Sequence, residues 1–178
     1  MWKRWSVGPI VAALMVLAFV PAASADGGGT NRPFNATMTG ETYWQFAGTS
    51  PAGCDIVTTF TDTSGTATHL GRITAHWAHC PAEPERGVDG VLTVVAATGD
   101  ELHVVYDYPA IDEGAPLTVV GGTGRFVGAS GTLSVQYGVI PAFWCEPTDW
   151  NDEDAVDACI DFTVPWGWYG ALKGAISY

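Results

Sequence analysis

The stretch GGTGRFVGASGTLSV, residues 121–135, indicates the fold of this chain more clearly than any other part of it. Five glycines lie in its first eleven positions, between the apolar segment LTVV and the alternating segment TLSVQYGV. Glycine within or beside a strand marks a bulge, a tight bend or a close approach of two backbones. The stretch therefore predicts one strand, a kink with positive φ at Gly122, a tight turn and a second strand.

The same stretch excludes a nucleotide-binding loop. It has neither the Lys-Ser/Thr pair of a P-loop nor a helix after its glycines, and phosphate binding of that kind requires both. No cofactor is indicated by the rest of the sequence, so we expect none.

Apolar and polar residues alternate with a period of two over most of the chain, which is typical of half-buried strands. Turn signals such as DTSG, TGD, DEGAP and GASG separate about eight such segments. In the second segment, Ile56 and Phe60 share the apolar face. The other apolar faces contain Phe34, Ala36, Met38 and Trp44; Ile73, Ala75 and Trp77; Leu102, Val104, Tyr106 and Tyr108; and Leu133, Val135, Tyr137 and Val139.

Short antiparallel strands in this number form a sandwich or a barrel, and the last segment favours the barrel. Its apolar face alternates large and small residues, which allows a strongly curved sheet to bend. That face extends from Phe162 to Tyr178 through Val164, Trp166, Trp168, Gly170, Leu172, Gly174 and Ile176. We predict an all-β protein, a single closed eight-stranded antiparallel β-barrel, with helix confined to one turn in the acidic segment DEDAVDAC.

The first 25 residues are typical of a secretory signal peptide. Lys3 and Arg4 precede an apolar run over residues 10–20, and Ala23-Ser24-Ala25 matches a small-x-small cleavage site. The run is shorter than the roughly 20 residues that span a bilayer, so we expect secretion and no stable membrane insertion after cleavage. Residues 26–33 are Gly-rich and predict a disordered lead-in, and residues 34–178 form the predicted barrel domain.

The charge of the chain limits its partners. Its formal net charge is −12 at pH 7. A surface of this kind repels phosphate backbones, so nucleic acid is not an expected partner.

Four cysteines lie after the predicted cleavage site, at positions 54, 80, 145 and 159. An even number in an exported chain predicts two disulfides. We expect the pairs Cys54–Cys80 and Cys145–Cys159, because each would tie a local excursion of the chain. A zinc site is not expected, since the cysteines lack the close Cys/His spacing of such sites.

Several segments of the sequence resemble a known family. VVGGTGRFVGASGTLSV resembles the motif shared by the allene oxide cyclase and dirigent barrels, in which a strand runs into a Gly-Gly-Ser/Thr-Gly turn, an aromatic residue and a Gly-bounded strand. GTATHLGRIT (65–74), VVAATGDELHVVY (94–106) and GALKGAISY (170–178) resemble the secreted bacterial proteins of that superfamily, described as allene oxide cyclase barrel-like. The resemblance implies an eight-stranded antiparallel barrel with an apolar interior and transfers no catalytic residue.

Six aromatic residues on the apolar faces are the candidate ligand-binding residues. A barrel of eight strands has room for side chains or for one small ligand. We expect the protein to bind a small hydrophobic ligand or to serve a structural role; the alternative is an isomerase, cyclase or dirigent-like protein that steers a hydrophobic substrate. The six residues are Trp44, Trp77, Tyr106, Tyr137, Trp166 and Trp168.

Polar candidates are few. His69, just before Gly71, is a candidate general base, and pinning a turn is its alternative role. His76 and His79 would face opposite sides of a strand, which disfavours a zinc site with His103. The acidic residues between 149 and 161 are suitable calcium ligands, although a solvated loop is the alternative and the EF-hand glycine is missing. Two tryptophans that flank this acidic segment, Trp144 and Trp150, are candidates to cap one mouth of the barrel.

Overall fold

The computed structural model describes residues 30–46, 54, 57–80, 88–107, 114 and 116–178. These residues form one closed barrel in which each strand pairs antiparallel with the next and the last pairs with the first. The strands are β1 (Arg32–Phe46), β2 (Val57–Ala67), β3 (Gly71–His79), β4 (Val88–Ala96), β5 (Glu101–Asp107), β6 (Leu117–Gly122), β7 (Ser130–Ile140) and β8 (Trp166–Ser177). The predicted fold class is confirmed.

The first strand begins earlier in the chain than the sequence predicts. β1 begins at Arg32, inside the segment predicted as a disordered lead-in, because Arg32 and Pro33 pair with Ile176 and Ala175 of β8. The predicted signal peptide and residues 26–29 lie outside the described residues. In the part of the chain that the structure describes, no helix has both the length and the apolar character needed to cross a membrane.

One end of the barrel is filled with apolar side chains, and we call it the packed end. Here short turns over residues 68–70, 97–100 and 123–129 join the strands. Phe126, in a single 3₁₀ turn between β6 and β7, is fully buried and packs edge-on against the ring of Tyr178 at 5.0 Å. The surrounding interior contains Phe34, Leu70, Ile73, Val94, Leu102, Val119, Leu133, Leu172 and Ile176.

The glycine-rich stretch forms the predicted strand, kink, turn and strand, but the positive φ predicted for Gly122 is wrong. Gly121 has it instead, with φ +136°, opposite a register shift in β5. Gly122 is required for another reason: a Cβ there would collide with the carbonyl oxygen of Glu101 and lie 2.7 Å from Cβ of Phe126. Gly124, with φ +54°, turns the chain into the 3₁₀ turn.

Both predicted disulfides are confirmed. Cys54 and Cys80 are bonded with their Cα atoms 5.4 Å apart, and Cys145 and Cys159 with theirs 5.1 Å apart. The second bond lies in the connection over residues 141–165, which also contains the predicted helical turn, α1 (Glu153–Asp157). Asp152 caps that turn by accepting a hydrogen bond from the backbone of Asp154 at 3.1 Å.

Candidate functional site

A cavity of about 200 Å³ lies at the opposite end of the barrel, which we call the cavity end. The strands are joined there by longer connections, over residues 47–56, 80–87, 108–116 and 141–165. All six predicted ligand-binding aromatics line this cavity: Trp44, Trp77, Tyr106, Tyr137, Trp166 and Trp168. The structure therefore brings them together around one space, and their binding of a ligand stays a prediction.

The aromatic residues form two groups on the cavity wall. In the first, the ring of Tyr137 stacks on Trp168 at 6.0 Å, and Trp77 lies 5.7 Å from Trp168. In the second, Trp44 meets Trp166 edge-on at 4.7 Å, and both contact Phe162. Such pairs are each worth about 0.5–1.5 kcal/mol beyond the area they bury, so neighbouring rings support one another and present flat apolar surfaces to the cavity.

The last strand differs from its sequence pattern in two ways. It begins at Trp166, so Phe162 and Val164, predicted on its apolar face, precede it and are exposed. The small residue Gly170 also leaves no open space beside it, because the indole of Trp168 lies there and a Cβ at Gly170 would collide with that ring. The glycine thus lets Trp168 lie flat against its own strand.

Threonines of β1 and β2 form a polar part of the wall, which the apolar alternation of the sequence does not predict. Thr42, Thr59 and Thr61 line the cavity, and the hydroxyls of Thr42 and Thr61 share a buried hydrogen bond of 2.8 Å. The apolar face predicted for β2 is wrong at Phe60, which lies on the outside and stacks on Tyr43 at 5.5 Å. A strand tolerates threonine in the interior because its hydroxyl finds a partner there.

A second polar feature is the pair formed by His79 and Tyr106. Nδ1 of His79, at the end of β3, lies 3.0 Å from the hydroxyl of Tyr106 on β5. Strand β4 runs between them, and its Gly90 is the register partner of Tyr106. A Cβ at Gly90 would collide with the Tyr106 ring, so the missing side chain lets the phenol cross β4 and reach the histidine.

The alternation along β3 also predicts an interior position for His79. Its parity is that of Ile73, Ala75 and Trp77, all of which face the interior. As predicted, His76 faces the other way, where its Nδ1 lies 2.7 Å from Asp62 on the outer surface.

The other candidate residues lie away from the cavity. His69 is exposed in the turn between β2 and β3, at the packed end, with φ +64° and its carbonyl accepting a hydrogen bond from Arg125 at 3.4 Å. Its place supports the turn interpretation over the catalytic one. His103 pairs with Glu101 at 3.0 Å, half-exposed. Within the described ranges, no three His, Cys, Asp or Glu side chains are grouped as metal ligands.

The connection over residues 141–165 carries its tryptophans on the surface. Trp144 and Trp150 are 68% and 60% exposed, and Trp150 packs edge-on against Phe143 at 5.5 Å. Neither is among the described residues that line the cavity, so their capping of its mouth stays a prediction. Trp166 is the tryptophan that this connection positions, by a hydrogen bond of 3.0 Å from its Nε1 to the carbonyl of Asp161.

Two pKa values respond to local contacts near this end. The side-chain hydroxyl of Thr163, and then its backbone N–H, donate to the carboxylate of Asp161 and hold the pKa of Asp161 below its usual range. Burial, followed by the charge and hydrogen bond of Asp62, raises the pKa of Tyr43 above its usual range.

Comparison with known proteins gives a limited result. No protein-family model and no curated protein matches the chain. Among solved structures, the chain is similar to the pterocarpan synthase dirigent protein GePTS1, with 14% sequence identity over 83% of this chain and 86% of that chain, and a TM-score of 0.44. At this level the similarity does not extend to activity or ligand.

Proposed function

We propose that the protein binds one small, flat, predominantly apolar molecule in the cavity end. The observation that carries the proposal is a cavity of about 200 Å³ walled by aromatic rings from five different strands, β1, β3, β5, β7 and β8. An apolar cavity of roughly 150 Å³ is enough for benzene. The expected ligand therefore has one or two rings.

The polar part of the wall supports binding of a ligand in one orientation rather than unoriented occupancy by apolar molecules. The threonine hydroxyls and the His79–Tyr106 pair lie on β1–β3 and β5, whereas Val135, Val139 and Trp168 lie on β7 and β8. Ligand sites commonly combine apolar walls with a few polar groups that fix orientation. A ligand with one polar edge would place that edge toward β1–β5.

The test uses 1-aminonaphthalene, a neutral two-ring probe that accepts energy from tryptophan. We expect saturable one-site binding with quenching of tryptophan emission. Trp168→Ala is expected to weaken binding about tenfold, because a ring contact of about 1.4 kcal/mol is lost. The matched control, Trp150→Ala, removes an exposed ring outside the cavity and is expected to leave affinity within about twofold. Absence of saturation, or equal effects of the two variants, would overturn the proposal.

A second candidate function is steering or isomerisation of a bound substrate, and the His79–Tyr106 pair favours it. A titratable side chain hydrogen-bonded to a phenol on the wall of an apolar cavity is a typical arrangement for proton transfer. This second function is tested by measuring substrate turnover, because the binding experiment does not report on it.

We also propose that the chain is a secreted member of the allene oxide cyclase barrel-like group. The glycine-rich motif, the closed eight-stranded barrel and two disulfides support this proposal. N-terminal sequencing of the protein from its own host tests whether it is secreted. A first residue of Asp26 supports cleavage and export, and an intact Met1 in the cell fraction overturns the proposed secretion.

A further inference from the structure

We propose that His79 and Tyr106 form a proton relay that interconverts the keto and enol forms of a small neutral carbonyl compound bound in the cavity. The inference rests on the proposed function, because the relay needs a ligand in that cavity. It goes further by assigning a reaction, a substrate class and two catalytic residues.

The fold builds this pair at some cost, which argues against accidental contact. The two residues are separated by a whole strand, and the contact exists because Gly90 leaves no side chain on the interior face of β4 at that position. β4 has a register irregularity between Val88 and Gly90, next to the same position. Bulges and glycines of this kind frequently re-aim side chains beside functional sites.

The environment suits proton transfer between neutral groups. Tyr106 is 2% exposed and its ring packs edge-on against buried Trp77 at 5.8 Å. Among the described residues that line the cavity, His79 is the one basic group and none is a carboxylate. Separated charges are costly in such surroundings, so a concerted exchange of protons is favoured over a stable ion pair.

The hydrogen-bonded pair has two forms, which differ in the nitrogen of His79 that carries the proton. In one, Nδ1–H of His79 donates to the phenol oxygen, so Nε2 is a base and the phenol O–H is an acid. In the other, the phenol donates to Nδ1, so Nε2 carries the proton. In the first form the proton that the pair can give to a ligand lies on the phenol oxygen. In the second form it lies on Nε2.

This exchange balances an enolisation. Nε2 takes the proton from the carbon beside the ligand carbonyl, and the electron pair of that C–H bond forms the C=C bond. The carbonyl π pair takes the phenol proton of Tyr106, and Nδ1 passes its own proton to the phenol oxygen. The products are the enol and the second form of the pair, and the reverse step restores both. The step consumes no oxidant, reductant or cofactor.

The test follows exchange of the α-hydrogens of 2-indanone in D₂O by proton NMR. This ketone is flat, neutral and bicyclic, with its carbonyl at one edge. We expect the protein to accelerate exchange about 10²-fold or more over buffer, the usual contribution of general acid–base catalysis. His79→Gln and Tyr106→Phe should each return the rate to near the buffer value. The control His103→Gln, which alters a histidine on the outer surface, should exchange as fast as the parent protein.

Binding is measured in parallel, as displacement of 1-aminonaphthalene by 2-indanone, and near-ultraviolet circular dichroism checks the fold of each variant. Displacement without accelerated exchange overturns the relay and leaves the proposed ligand binding intact. Failure of 1-aminonaphthalene to bind overturns both proposals. Accelerated exchange that survives in a folded Tyr106→Phe variant also overturns the relay, since the phenol proton would then be unnecessary.

Gly90→Ala adds a test of the positioning argument. The added methyl group should push the Tyr106 ring away from His79, so exchange should fall while both catalytic side chains remain. Gly99→Ala is the control for backbone strain away from the cavity, because Gly99 lies in the turn of the packed end with φ +87° and its Cβ would meet no atom within 4 Å. Equal exchange rates in the two folded variants would contradict the role given to Gly90.

Discussion

The packed end and the cavity end are built from the same eight strands, yet their interiors differ in almost every respect. At the packed end, fully buried Phe34, Leu102 and Phe126 fill the space, and short turns join the strands. At the cavity end, the interior positions hold threonines, a histidine and large aromatics around an open space, and the connections are long.

The difference indicates a division of labour along the barrel axis. Dense apolar packing supplies stability, because each buried aliphatic or aromatic side chain contributes about 1.5–3 kcal/mol. The cavity end gives up part of that contribution by keeping space empty and burying hydroxyls. Both disulfides belong to this end: Cys54 is bonded to Cys80, next to the end of β3, and Cys145 is bonded to Cys159 within residues 141–165.

The largest expected effect is on stability at the packed end. Phe126→Ala should lower the free energy of unfolding by about 3–5 kcal/mol, because a fully buried ring leaves a cavity. Tyr137→Ala, at the cavity end, removes a ring that is 37% exposed and already borders empty space, so its cost should be below about 1.5 kcal/mol. Guanidinium unfolding measures both. Equal costs would show that the two ends are not energetically distinct.

Removal of the second disulfide sharpens the comparison from the other side. Cys145 and Cys159 are 14 residues apart in sequence, and cross-linking a loop of this length is worth about 3 kcal/mol in the chain-entropy description. The double variant Cys145→Ser, Cys159→Ser should therefore lose about that free energy of unfolding. We also expect weaker binding of 1-aminonaphthalene, because this connection positions Trp166. Loss of stability with unchanged binding would mean that the connection does not shape the cavity.

Two adjacent glycines provide a smaller test at the packed end. Gly122→Val should cost about 1–3 kcal/mol, because its side chain would collide with the backbone of Glu101 and with Phe126. Gly121→Ala is strained only by its positive φ, since no atom lies within 4 Å of the added carbon, and should cost about 1 kcal/mol. Thermal unfolding of both variants checks the order. A reversed order would show that the collision at Gly122 is relieved cheaply and that the positive φ of Gly121 is the stronger constraint.

The fold and the aromatic wall could be predicted from the sequence because both depend on parity alone. Alternation placed Trp77, Tyr106 and Trp168 on interior faces, and a closed barrel leaves those faces only one interior to share. The two disulfides followed from an even number of cysteines at positions that tie local excursions.

Alternation gave a wrong prediction for Phe60 of β2, because an apolar residue was assumed to face the interior. Phe60 lies outside because Tyr43 offers it a stacking partner, and Thr61 lies inside because Thr42 satisfies its hydroxyl. The His79–Tyr106 contact depends on strand register and on a side chain missing from the strand between them. Alternation does not contain that information, since it fixes faces and not partners.

The smallest expected effect concerns the turn that holds Trp166 at the cavity end. The Asp161 carboxylate accepts hydrogen bonds from the hydroxyl and the backbone N–H of Thr163, at 2.6 and 2.7 Å, and these hold its pKa below the usual range. A pKa that is lowered by folding stabilises the native state above the unfolded value, near pH 4, and that contribution is lost as the pH falls through the folded value. Thr163→Val removes the hydroxyl donor and keeps the N–H, so the pKa of Asp161 should rise part of the way to its ordinary value. Carbon-13 NMR titration of the carboxyl group measures the shift, and Asp161→Asn identifies its signal. An unchanged pKa in Thr163→Val would show that the hydroxyl does not support this turn, and that Trp166 depends on the backbone contacts alone.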